Sequence, residues 1–215
     1  LFQDRVDVAD DNAKHLFSYA VNQDDNIEKY FVISRDCDDF SEMKKIDRNI
    51  VALKSFKNRF LYMFAEKMIS SHVNHSWLNP FFNPKIPYFN GFLTLEKCFL
   101  QHGVIKDDLS SWFRKASQNL HLFLTSSDYE RESILGDNYN YEPEVVQALG
   151  LPRFDNLKLG TSKKLILFAP TWRNYLFDRP TFEKSEYFKR LNGFLNNERL
   201  LEALDKKGYR IVFKP

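Results

Sequence analysis

Short β-rich runs alternate with helical patterns along this chain, and that alternation restricts its fold more than any other feature. Tyr30–Ser34, Asn49–Leu53, Lys67–Ser71, Lys97–Val104, Leu120–Thr125 and Glu144–Leu149 read as strands. Between them, Ala13–Ala20 reads as a helix, and Phe60, Leu61 and Phe64 fall at helical spacing within Lys57–Ala65. A further helix over Tyr129–Leu135 opens on the capping sequence Ser126-Ser127-Asp128. Strands separated by helices imply βαβ units, a parallel sheet and the α/β class. Asn74–Phe92 departs from the pattern: Pro80, Pro84, Pro87 and Gly91 predict an irregular loop of the kind that shapes a substrate site.

The pattern breaks at Gly150-Leu151-Pro152 and resumes after a polar linker that runs to Ser162. A strand over Lys163–Ala169 follows, then a helix over Glu183–Asn196 with Phe188, Leu191 and Leu195 on one face. A helix over Glu198–Lys207 is expected to bury Leu200, Leu201 and Leu204 and to stop at Gly208 before a last strand. The expected organisation is a Rossmann-like domain over residues 1–152, then a linker and the incomplete start of a second such domain over 153–215. The chain opens on Leu and ends as a strand finishes, which suggests a piece of a longer polypeptide.

Composition narrows the function. The formal net charge of +2 is spread over interspersed basic and acidic residues, which argues against nucleic acid as a partner. Seven glycines form neither a dinucleotide fingerprint nor a Walker loop, so nicotinamide redox chemistry and P-loop hydrolysis are disfavoured. Cys37 and Cys98 lie far apart, Cys98 reading as a small buried hydrophobe, and neither joins a zinc-spaced cluster. His72 and His75 stand three apart in a strand-to-loop passage, where a solvated or satisfied pair is the plainer reading than zinc ligation. No signal peptide or bilayer-spanning run is visible, and the cysteine usage suits a cytoplasmic compartment. The 21 Phe and 10 Tyr suit thick α/β packing, and equally a protein working against a membrane or a sugar.

The sharpest candidate for chemistry is His102-Gly103, at the end of the apolar run that begins at Lys97. Ligands of open α/β sheets bind beyond the carboxyl ends of the strands, and histidine moves protons near neutral pH. His102 is either a catalytic group or a structural strand-end histidine; Gly103 would let another group approach the backbone. Pro170-Thr171-Trp172-Arg173 places a hydroxyl, a ring and a guanidinium past a strand, a set that suits a phosphate. A turn whose Arg173 pairs with a surface carboxylate is the alternative. Arg153 and Asp155 could form a local salt bridge, and Asp10 or Asp11 could cap the helix that follows.

In order along the chain, Asp4-Arg5 with Ala9-Asp10-Asp11-Asn12-Ala13, Ser70-Ser71-His72, Phe99-Leu100-Gln101-His102-Gly103-Val104, Gly150-Leu151-Pro152-Arg153-Phe154-Asp155 and Ala169-Pro170-Thr171-Trp172-Arg173 resemble the CDP-glycerol glycerophosphotransferase family of teichoic-acid and capsule polyol-phosphate transferases. The resemblance implies a GT-B-like architecture, with an acceptor-side first domain and a second domain holding a CDP-linked donor. It implies His102 as general base for attack of an acceptor hydroxyl on the β-phosphate, with CMP leaving. It also implies substrate contacts from Gly103, Arg5, Asp11, Asn12, His72, Arg153 and Asp155, and donor-phosphate contacts from Thr171, Arg173 and Lys214. No cofactor or metal is implied beyond the CDP-polyol itself. The implied partners are that donor, a lipid-linked polyol-phosphate or glycan acceptor, and the inner face of a bacterial cytoplasmic membrane. The family's second histidine follows a Lys-Pro that matches Lys214-Pro215 and lies past this sequence. A GT-B sugar transferase, and a non-catalytic acceptor- or membrane-binding module docking through Asn79–Phe92, are the alternatives.

Overall fold

The computed structural model describes residues 1–215 except 74–75, 82–92, 137, 159, 161–162, 172, 174, 177 and 215. The chain divides into two compact units, Leu1–Leu157 and Lys158–Pro215. In the first, seven strands form one sheet: β1 (Phe2–Gln3), β2 (Phe31–Ile33), β3 (Ile50–Ala52), β4 (Lys67–Ser70), β5 (Glu96–Phe99), β6 (Leu120–Thr125) and β7 (Val146–Ala148). Their spatial order is β3-β2-β1-β4-β5-β6-β7, and every pair is parallel. The chain moves outward one way from β1 through β2 and β3, then restarts on the other side of β1 with β4. That reversal makes the carboxyl ends of β1 and β4 a topological switch point, where connections diverge and leave a crevice.

The helices of this unit are α1 (Asn12–Ala20), α2 (Asp39–Ile46), α3 (Phe56–Phe64), α4 (Ser110–Phe113), α5 (Lys115–Gln118) and α6 (Asp128–Gly136). Side chains alternate across the sheet. Phe31 and Ile33 pack with Phe2, Ala13 and Phe17 on one side, while Val32 packs with Val51, Tyr62 and Met68 on the other. The Phe17 ring of α1 lies 5.4 Å from the rings of both Phe2 and Phe31, which seats α1 over β1 and β2. A short 3-10 helix, Pro152–Asn156, packs on α1 and closes the unit.

The second unit holds a parallel pair, β8 (Leu165–Phe168) and β9 (Arg210–Phe213), with α7 (Arg179–Lys184), α8 (Glu186–Leu195) and α9 (Glu198–Lys207) between them. Gly208 ends α9 at φ +68°, the left-handed conformation expected of it.

Several expectations need correction. β1 is too short to show an alternation, and it, α2, α4 and α5 escaped the sequence reading. The strand expected over Lys97–Val104 stops at Phe99, because Gln101 turns the chain at φ +60°. The helical spacing of Phe60, Leu61 and Phe64 holds in α3, where Phe60 and Phe64 are 53% and 69% exposed. The helix expected over Glu183–Asn196 is two helices, because Ser185 is extended and its hydroxyl caps α8 by accepting from the Phe188 amide. Leu201 is exposed rather than buried, with Leu200 and Leu204 half-buried. Cys98 is half-buried. Most of the expected Asn74–Phe92 loop, including Pro84, Pro87, Gly91 and His75, lies outside the described residues, as does Trp172.

Candidate functional site

The crevice at the switch point is built around a buried carboxylate. Asp4 directly follows β1 and is fully buried. Its Oδ2 accepts from the Asp11 and Lys14 amides at 3.2 and 3.0 Å, and its Oδ1 from the Ala13 amide at 3.0 Å and the Ser71 hydroxyl at 2.6 Å. Asp11 is the N-cap of α1, its own Oδ1 accepting from the Asn12 amide at 2.9 Å. The first amides of a helix ordinarily lack partners and attract anions. Here the chain supplies the anion itself, so the place where a nucleotide-binding Rossmann unit receives phosphate is filled by Asp4. Burial pushes the Asp4 carboxyl above its ordinary range, against the downward pull of Ser71 and the helix amides.

Asn12, also fully buried, ties three segments together. Its Nδ2 donates to the Gln101 carbonyl at 2.7 Å, past the end of β5, and its Oδ1 accepts from the Arg153 amide at 3.1 Å. The Arg153 guanidinium donates to Asp11 Oδ1 at 2.7 Å. That bond replaces the Arg153–Asp155 pair considered from sequence; Asp155 is exposed on the 3-10 helix. Asp11 Oδ2 lies 4.0 Å from His72 Nε2.

His72 follows β4 and His102 follows β5, so adjacent parallel strands deliver two imidazoles to one rim. The rings stack at 4.7 Å with 22° between planes. His72 is buried and His102 exposed. The Nδ1 of His102 lies 3.3 Å from the Ser71 carbonyl oxygen. A carbonyl only accepts, so Nδ1 carries the hydrogen and Nε2 of the neutral ring is the proton acceptor. Among the described residues, a side chain added at Gly103 would meet nothing within 4 Å beyond its own neighbours in the chain, so their packing does not demand glycine there.

A cavity of about 440 Å³ opens beside His72, lined also by Tyr62, Ser70, Lys97 and Gln118. Burial holds the Lys97 ammonium below its ordinary range. Among the described residues, no group of three or more His, Cys, Asp or Glu side chains is placed to hold a metal ion, and no helix is long and apolar enough to cross a membrane.

A family of proteins described as CDP-Glycerol:Poly(glycerophosphate) glycerophosphotransferase matches residues 1–215. The chain belongs to that family. Among curated proteins, it is 41% identical to the minor teichoic acid biosynthesis protein GgaB of Bacillus subtilis (strain 168), over all of this chain and 25% of GgaB. Among solved structures, it is similar to the wall teichoic acid polymerase TagF, with a TM-score of 0.56 at 17% identity over 98% of this chain and 55% of that one. A variant of TagF gives a TM-score of 0.54 at 16% identity. The TagF likeness supports the fold, and the chain spans about a quarter of GgaB.

In this member of the glycerophosphotransferase family, the structure brings together five of the residues singled out from sequence: Asp11, Asn12, His72, His102 and Arg153. Arg5 and Asp155 are exposed near them in sequence but make none of the bonds above. Thr171, Arg173 and Lys214 belong to the second unit. Thr171 follows β8 and Lys214 follows β9, both beyond the carboxyl ends of paired strands. The Thr171 carbonyl accepts from Arg173 and from the Tyr187 hydroxyl, each at 2.9 Å, and the Arg173 guanidinium lies 4.9 Å from the Tyr187 ring centroid.

Asp4, Ser71, Gln101 and Glu130 were missed as site residues. Asp4 and Ser71 stood inside quoted motifs without a role. Ser127-x-x-Glu130 is a capping-box pattern and was legible as such, but its reach toward residue 101 was not.

Proposed function

We propose that the polypeptide carrying this chain transfers glycerol phosphate, or a related polyol phosphate, from a CDP-linked donor to a hydroxyl of a teichoic-acid or capsule-like acceptor. The acceptor hydroxyl gives its proton to His102 Nε2. Its oxygen bonds to the β-phosphorus, the phosphoanhydride bond to the α-phosphate oxygen breaks, and CMP leaves. The observation that carries this reading is His102 itself, exposed on the rim next to the switch point, with its Nδ1 facing the Ser71 carbonyl; family membership supplies the substrate class. The first unit is read as the acceptor side because Asp4 fills the phosphate cradle at α1. Thr171, Arg173 and Lys214 are read as donor-phosphate contacts, supplying a hydroxyl and cations beyond β8 and β9. His72, Arg5, Gly103, Arg153 and Asp155 are read as surrounding the acceptor, with Asp11 and Asn12 holding the rim in shape.

The test is CMP release by the full-length protein given CDP-glycerol and a primed lipid acceptor. Loss of the base in His102→Ala lowers the rate by roughly 10²–10⁴-fold. An unaffected variant would sink the mechanism, and turnover of a UDP-sugar instead would install the sugar-transferase reading.

A separate observation supports a membrane-facing surface. Phe56, Phe60 and Phe64 form one exposed stripe on α3, 82%, 53% and 69% exposed, with Lys57 and Arg59 exposed on the same helix. Aromatic side chains among cations suit an anionic lipid surface. Co-sedimentation with anionic liposomes tests it: Phe60→Asp with Phe64→Asp should release the full-length protein, and unchanged binding would refute this assignment.

A further inference from the structure

We propose that Glu130 is a positioning residue for His102, gripping the loop that carries it on both sides; this rests on the reading of His102 as the base. Glu130 lies in the first turn of α6, directly after β6, and is 4% exposed. Its backbone amide donates to the Ser127 hydroxyl at 3.3 Å, which seats the residue in the helix entry. Its carboxylate then turns away from its own helix. Oε1 accepts from Gln101 Nε2 at 3.0 Å and from the Ile105 amide at 2.6 Å. Oε2 accepts from the Ser126 amide at 2.7 Å and the Ser126 hydroxyl at 2.8 Å.

The two oxygens therefore have different duties. Oε2 anchors the carboxylate to the β6–α6 turn, while Oε1 spans His102 and Gly103, holding the residue before them and the second residue after. A buried carboxylate is tolerated when its lone pairs are met by well-placed donors, and all four donors here come from neutral groups. Gln101 needs the support, because its φ of +60° is a left-handed conformation that a non-glycine residue adopts only when its surroundings hold it there. Its carbonyl is held by Asn12 and its side chain by Glu130, so the backbone leading into His102 is fixed from two directions. The carboxylate's bonds run to Gln101, Ile105 and Ser126, so Glu130 acts on His102 through the loop.

Three variants of the full-length protein separate this role from general stability. Glu130→Gln keeps the shape but turns an NH₂ group toward donors. Gln101→Gly keeps the left-handed backbone and removes the side-chain bond. Ser126→Ala removes a bond on the anchoring side only. In Glu130→Gln, amide exchange at Ile105 should quicken at least tenfold. The kcat for CMP release should fall roughly tenfold to a hundredfold, as expected when a reacting group is misplaced by about an ångström, with KM for CDP-glycerol within about twofold. Gln101→Gly should move both readouts in the same direction, and it carries the test if Glu130→Gln does not fold. Ser126→Ala should leave both within about twofold. Unchanged Ile105 exchange in the first two variants, or an equal effect of Ser126→Ala, would overturn the proposal. Absence of CMP release in the parent protein would instead defeat the functional reading, while the exchange measurement would still decide the clamp.

Discussion

Replacing Asp4 with Ala exposes how much of the site rests on one carboxylate. The change takes the acceptor from four donors, the amides of Asp11, Ala13 and Lys14 and the hydroxyl of Ser71. The Ala13 amide keeps a partner, because Ser71 Oγ also lies 3.0 Å from it, and the half-buried Lys14 can turn to water. The Asp11 amide and the Ser71 hydroxyl are left buried without an acceptor, at about 1–3 kcal/mol each. Part of that loss is returned, because a carboxylate held in an unfavourable buried setting is gone. The net cost is about 3 kcal/mol, or a fall in Tm of roughly 6–12 °C for a chain of this size. The pH dependence gives a sharper check. The Asp4 pKa is raised in the folded state by burial, so the folded state holds this proton more tightly than the unfolded one. The stability linked to Asp4 is then fully present below the unfolded carboxylate pKa of about 4 and is lost as pH rises through the folded value. Calorimetric scans of both proteins should therefore show a gap that widens as pH falls toward about 4. A Tm change under about 2 °C, or a gap that narrows on acidification, would refute the account of Asp4 as the built-in cap of α1.

The Arg153–Asp11 bond, with Asp11 buried and Arg153 partly so, should show a coupling of about 1–2 kcal/mol in a double-mutant cycle of Arg153→Met and Asp11→Asn followed by urea unfolding; zero coupling would mean that this bond adds nothing to the seating of the 3-10 helix on α1. Burial pushes the Tyr62 hydroxyl up to about 12, so stability should drop as pH rises from about 10 to about 12, by roughly 3 kcal/mol. Tyr62→Phe should remove that part of the alkaline loss in unfolding titrations, and an unchanged alkaline slope would show that Tyr62 does not drive it. The paired Asp substitutions at Phe60 and Phe64 should shift stability by no more than about 0.5 kcal/mol each, as surface changes do, whereas a collapse of the fold would show that the face of α3 carrying Phe60 and Phe64 is packed rather than exposed.

Much of the architecture was legible because a parallel sheet buries whole strands, and runs such as Phe31-Val32-Ile33 and Leu120–Thr125 announce themselves without any partner in view. Helix punctuation was local too: Asp11, Ser127 and Gly208 do at their helix ends what their chemistry dictates. For Phe60 and Phe64, spacing showed that the residues share a helix, and not whether their face meets a sheet or solvent. The break at Ser185 was hidden for a related reason, since a run of helix formers conceals the one hydroxyl that prefers to cap.

For the site, the sequence by itself determined the residue types and their order: a histidine and glycine after an apolar run, an acidic pair before a helix, an arginine after a proline. It could not say that Asp11 pairs with Arg153 rather than leaving it to Asp155, because partners 142 residues apart meet only through the order of the strands. Tertiary structure alone decided that β1, β4 and β5 end side by side, so that Asp4 closes α1, the carbonyl of Ser71 sets the proton on His102, and Glu130 reaches back to the His102 loop. Each of these is a hydrogen bond between segments distant in sequence. Its geometry depends on a sheet register that the two or three residues involved do not encode.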